Sequence, residues 1–103
     1  MSAPLDLDVS ADGDPDTATV RAAGEIELAA SSVLLKRLEE ALDRARHLQL
    51  DLGGVTFIDS TGLSVLLQVK VHAERRGGSM RIVESSEAVN HLIDVAQLRD
   101  HLL

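Results

Sequence analysis

The spacing of apolar residues along this chain switches repeatedly between a period of two and a period near 3.6. Leu5, Leu7 and Val9 alternate with Asp6 and Asp8, the pattern of a half-buried strand. Ser10 to Asp16 reads as a polar turn punctuated by Gly13 and Pro15, and Thr17 to Ala23 resumes an extended pattern around Val20. The two strands predict an antiparallel hairpin. Leu34, Leu35, Leu38, Ala41, Leu42 and Ala45 then fall on one helical stripe. Ser31 or Ser32 is the expected cap, and Lys36, Glu40 and Arg44 are spaced for i,i+4 pairs on the wet face. Leu48, Leu50 and Leu52 alternate as a third strand. A second helix is expected from the Asp59 region to about Arg76, ended by Gly77-Gly78. Met80 to Val83 predicts a fourth strand. Ser85 or Ser86 would cap a third helix with Val89, Leu92, Ile93 and Ala96 inward. The remaining tail has room for one small strand. The order ββαβαβα predicts one α/β domain over residues 1–103. It has a mixed sheet of four to five strands: a hairpin, then parallel strands with helices packed against them.

Composition narrows what such a domain can do. The 103 residues hold seventeen Leu, ten Val and four Ile but one aromatic, Phe57, so the core is aliphatic and base-stacking platforms are missing. Ten Lys plus Arg against seventeen Asp plus Glu give a net charge of −7. That sign repels phosphate backbones and anionic lipid, so neither nucleic acid nor membrane is an expected partner. Cysteine is absent, which removes disulfides, thiolate metal sites and a thiol nucleophile. The start of the sequence has neither a basic head nor an apolar run, which predicts no signal peptide, and a cytoplasmic location is expected.

Enzymatic motifs do not form. Ile58 stands where a G-x-S-x-G elbow needs glycine. His47, His72, His91 and His101 lie on separate elements without metal-ligand spacing. Asp12, Asp14 and Asp16 start like a calcium loop, but Thr17 and Ala23 replace its glycine and glutamate. Gly53-Gly54 and Gly77-Gly78 match no phosphate-cradling loop. No catalysis, cofactor or metal is expected.

One segment concentrates polar chemistry at a strand-to-helix junction: Thr56-Phe57-Ile58-Asp59-Ser60-Thr61-Gly62-Leu63. Either Asp59 or Ser60 simply caps the helix, or Ser60 sits where a phosphate is tolerated, since a helix N-terminus offers free N–H groups and a positive dipole end. A phosphoryl group would add about 1.5 to 2 negative charges to a docking surface without disturbing the fold. Beyond the inward Leu63, Leu66 and Leu67, the helix carries Val65, Val69 and Val71 at other angles. Two readings stay open: a deeply wedged helix, or an exposed apolar patch beside Ser60.

Asp59-Ser60-Thr61-Gly62-Leu63, preceded by Val55-Thr56-Phe57-Ile58, resembles the signature of the anti-sigma factor antagonist family, built on the STAS domain. Gly24-Glu25-Ile26-Glu27 resembles the family's G-E-[LI]-D element, and the spacing to Gly77-Gly78 fits; the resemblance covers roughly residues 5 to 98. Glu27 stands where the family usually has Asp, and Thr61 where Ser or Ala is common. Many members also add a strand and a final helix. The resemblance implies a STAS fold and a bacterial regulator in which Ser60 is the phosphoacceptor. It implies that the unphosphorylated protein binds an anti-sigma factor that is also a serine kinase of the histidine-kinase-like ATPase type, freeing the sigma factor. Phosphorylation would end binding, and a metal-dependent serine phosphatase would restore it. Asp59, Thr61 and Gly62 would line the contact with Leu63 and Val65 beside them, and Glu25 and Glu27 would lie in the neighbouring loop. A second role implied by the same resemblance is a constitutive accessory subunit of a lipid-transport ABC complex.

Overall fold

Four strands and four helices follow one another along the chain, and the computed structural model describes residues 3–11 and 14–103. The strands are β1 (Asp6–Ser10), β2 (Thr17–Ile26), β3 (His47–Ile58) and β4 (Ser79–Ser85). The helices are α1 (Leu28–Arg44), α2 (Ser60–Arg75), α3 (Glu87–Val95) and a final turn, α4 (Arg99–Leu102). The sheet order is β1-β2-β3-β4, with β1 antiparallel to β2 and the other two pairings parallel. This is the expected α/β arrangement, with four strands.

The strand alternation decides which face is covered. Ala18, Val20, Ala22 and Ile26 of β2, and Leu48, Leu50 and Leu52 of β3, are buried. They join Leu34 and Leu38 of α1, Leu66 and Val69 of α2, and Val89 and Ile93 of α3 in a single aliphatic core. The intervening residues point to the open face, where Arg21 and Asp51, register partners on β2 and β3, form an ion pair of 3.2 Å.

Several local expectations are corrected. β2 does not stop at Ala23 but runs to Ile26. The α1 cap is Glu27, not Ser31 or Ser32: its carboxylate accepts the amides of Ala29 at 3.2 Å and Ala30 at 3.0 Å. The two serines lie inside the helix and donate to carbonyls three residues back, Leu28 and Ala29, a bond that a hydroxyl makes without ending the helix. Lys36, Glu40 and Arg44 form no ion pairs; among the described residues the pairs are Arg21–Asp51, Arg76–Asp43 and Arg99–Asp94. Long exposed side chains gain little from such pairing and keep their rotamer freedom. Ala96 is an exposed C-cap rather than an inward residue. Ser86, of the two candidates, caps α3.

The tail is a helical turn, not a strand. Gln97 takes a left-handed conformation (φ 60°) and reverses the chain. Its amide donates to the Asp94 carbonyl and that of Leu98 to Ile93, the double bond of a helix C-terminal reversal. Leu102 is then buried, and Lys70 of α2 donates to the His101 carbonyl. In the first turn, Asp12 and Gly13 lie outside the described residues. Asp14 uses its carboxylate there on the Asp16 amide and the Thr17 hydroxyl, so it acts as a turn residue.

Candidate functional site

β2 and β3 are parallel, so their C-terminal ends share one edge of the sheet, the edge where α/β proteins gather functional groups. Ile26 and Ile58 are register partners at that edge. Each strand hands over directly to a helix, so Glu27 and Asp59 cap neighbouring helix starts, and Leu28 and Ser60 are the first residues of α1 and α2.

Gly24 shapes the end of β2. Its φ is 95°, and a Cβ there would lie 2.2 Å from the Pro4 carbonyl oxygen, because the segment before β1 runs alongside. Only glycine fits both demands. The next amide, that of Glu25, donates to Ala3 O at 2.9 Å, and the register with β3 shifts at this point. With an earlier shift between Arg21 and Ala23, two further residues are accommodated in β3, around Gly53-Gly54 and at Thr56, which brings Glu25 opposite Phe57.

Asp59 is the N-cap of α2. One carboxylate oxygen accepts the Thr61 amide at 3.0 Å, the Gly62 amide at 3.1 Å and the Thr61 hydroxyl. The Thr61 hydroxyl bond is the largest influence and holds this carboxyl below the usual carboxylate range; burial opposes it, and the amides of Gly62 and Thr61 add smaller lowering effects. The capping alternative is therefore settled in favour of Asp59. Ser60 remains exposed at the first helical position, while the Thr61 hydroxyl is engaged by Asp59.

The expected site residues divide into two layers. Asp59, Ser60, Thr61, Glu25 and Glu27 are exposed or half-buried at the sheet edge. Gly62, Leu63 and Val65 are buried beneath them. A Cβ on Gly62 would lie 2.7 Å from Ile26 Cγ2 and 2.9 Å from Ile58 Cγ1, so its lack of a side chain seats α2 against both strand ends. The exposed valine patch does not form at Val65 or Val69: both are in the core, because α2 packs on β3 and β4 and against the neighbouring α1. Val71 does remain exposed. The sequence reading missed two apolar residues at the rim, Leu28 (70% exposed) and Phe57 (46% exposed). For Leu28 the signal was its position outside the Leu34–Leu38 stripe. For Phe57 no sequence signal existed, because the register shifts decide which face it takes.

The STAS domain family pattern matches residues 8–102. The chain is 28% identical over 96 residues to the anti-sigma-B factor antagonist of Bacillus subtilis (strain 168), covering 93% of this chain and 88% of that protein. It is 31% identical over 81 residues to the anti-sigma F factor antagonist of Paenibacillus polymyxa, covering 77% and 69%. The fold is also that of the Bacillus anti-sigma factor antagonist SpoIIAA. The unphosphorylated form superposes with a TM-score of 0.79 at 16% identity, over 95% of this chain and 86% of that one. The phosphorylated form gives 0.74 at 15% identity, over 95% and 89%. The chain belongs to the STAS domain family, among its anti-sigma factor antagonists.

Proposed function

We propose that this chain is a regulatory binding protein that antagonises an anti-sigma factor and is switched by phosphorylation of Ser60. The observation that carries the reading is the division of labour at the start of α2. Asp59 and Thr61 do the capping, which leaves Ser60 exposed at the first helical position. A phosphoryl group can be added there without breaking a bond that holds the fold.

In this reading the unphosphorylated surface around Ser60, with Glu25, Glu27, Asp59 and Thr61, binds the anti-sigma factor and so frees its sigma factor. The anti-sigma factor is a serine kinase with a histidine-kinase-like ATPase fold. It phosphorylates Ser60, and a metal-dependent serine phosphatase reverses the reaction. The antagonist performs no catalysis and works where sigma factors work, in the cytoplasm. A dianion forced into an interface without a partner costs several kcal/mol, and each ~1.4 kcal/mol is tenfold in affinity. Modest mismatch therefore suffices for an on–off response.

The test is direct binding of purified anti-sigma factors from the source organism to wild type, Ser60→Ala and Ser60→Asp. Ser60→Ala should bind like wild type and take up no phosphate from ATP. Ser60→Asp should bind at least about tenfold more weakly. Equal binding of all three would make Ser60 a structural residue and the subunit a constitutive one.

A further inference from the structure

Charged residues are 26% of the chain, yet two helical stretches have none, on their exposed positions as well as their buried ones: Leu28–Leu35 of α1 and Ser60–Val69 of α2. These halves begin side by side at the site edge, and the helices pack against each other. On α2, Ser60, Ser64, Leu67 and Val71 follow one another at helical spacing on the side away from the buried Gly62, Val65, Leu66 and Val69. Ser64 and Val71 are exposed and Leu67 is half-buried. A groove of about 470 Å³ lies along this stripe, lined by Ser64, Leu67, Gln68 and Val71 and closed at its far end by Glu39 of α1 with His72 and Arg75. An exposed helix face ordinarily carries charge. Loss of charge at the centre with charge at the rim is instead the composition of a protein interface.

We infer that the anti-sigma factor's footprint does not end at Ser60 but continues down the outward stripe of α2, over Ser64 and Leu67 to Val71. This rests on the antagonist reading above, and the occupant is the same partner because the stripe starts at Ser60 itself. From Ser60 to Val71 is eleven residue steps, roughly 16 Å of helix. The stripe would set which anti-sigma factor is accepted, while Ser60 sets whether any is. Its chemistry calls for an uncharged, partly apolar partner surface, with Leu28 extending the neutral area across to α1.

The test measures Kd for each purified anti-sigma factor of the source organism against wild type, Ser64→Glu, Val71→Glu, Ser60→Asp and Val95→Glu. Val95 is 66% exposed on α3 and lies off the stripe, so it is the control. Thermal melts confirm that each variant is folded. Ser64→Glu and Val71→Glu are each expected to weaken binding about tenfold or more, since an unpaired charge enters a neutral interface. Val95→Glu should stay within about twofold. Retained binding by both stripe variants, with binding lost in Ser60→Asp, would overturn the footprint and leave the switch standing. If wild type binds no anti-sigma factor, the antagonist reading fails and the footprint falls with it. Two stripe positions are used so that one poorly folded variant does not decide the outcome.

Discussion

At Asp59 a single carboxylate oxygen collects three donors, and that concentration makes the residue worth more than a surface acid. Replacing it with Ala removes the cap and should cost about 1 kcal/mol of stability at neutral pH. The pH dependence has a definite sign. The folded carboxyl titrates below its ordinary value, so its contribution is fully present above the unfolded value, near 3.9, and is lost as pH falls through the folded one. Denaturant unfolding of wild type and Asp59→Ala should therefore differ most at neutral pH and converge below about pH 4. A gap that widens in acid would contradict the cap. Gly62 fails differently. An added methyl meets Ile26 and Ile58 at under 3 Å, so Gly62→Ala should destabilise by roughly 1 to 3 kcal/mol through overpacking. Both residues belong to the motif, yet neither need touch a partner for its loss to matter.

At the scale of elements, the helix ends carry the most information. All three long helices start on a side chain from the residue just before them, Glu27, Asp59 and Ser86. Glu27 in place of the family's usual Asp still reaches two amides, one with each carboxylate oxygen. The end of α3 is less well matched. Gln97 sits at φ 60°, a conformation that costs a residue with a Cβ and suits glycine. Gln97→Gly should raise the unfolding free energy by up to about 1 kcal/mol, read by thermal melting. An unchanged or lower value would mean that contacts of the Gln97 side chain outweigh the backbone cost. α2, like α1, has two distinct halves. Its charge-free N-terminal half faces the site edge, and its C-terminal half supplies Lys70 to α4 and Arg75 to the far end of the groove.

Across the whole molecule, the proposed switch site is separated from the elements that hold the fold together. The core is one aliphatic cluster under one face of the sheet, while Ser60 stands exposed at the edge. Ser60→Asp should therefore leave stability within about 0.5 kcal/mol of wild type, a melting shift of no more than about 4 °C. A larger drop would mean that loss of binding in this variant reports unfolding rather than charge. The sequence by itself determined the α/β class, the element order as far as α3, the hairpin followed by parallel strands, and the position of Ser60 at a helix start. These are local properties: hydrophobic period, glycine breaks and polar residues at a strand-to-helix junction. What only tertiary structure decided is everything that depends on neighbours distant in the chain. The register shifts between β2 and β3 turn Phe57 outward opposite Glu25. The packing of α2 against α1 takes Val65 and Val69 inside and leaves Val71 out. The α1 cap moved to Glu27 because β2 runs on to Ile26, and the final turn became helical because Leu102 found a buried place. A residue's periodicity shows that it belongs to a face; which face is covered depends on the element that packs there.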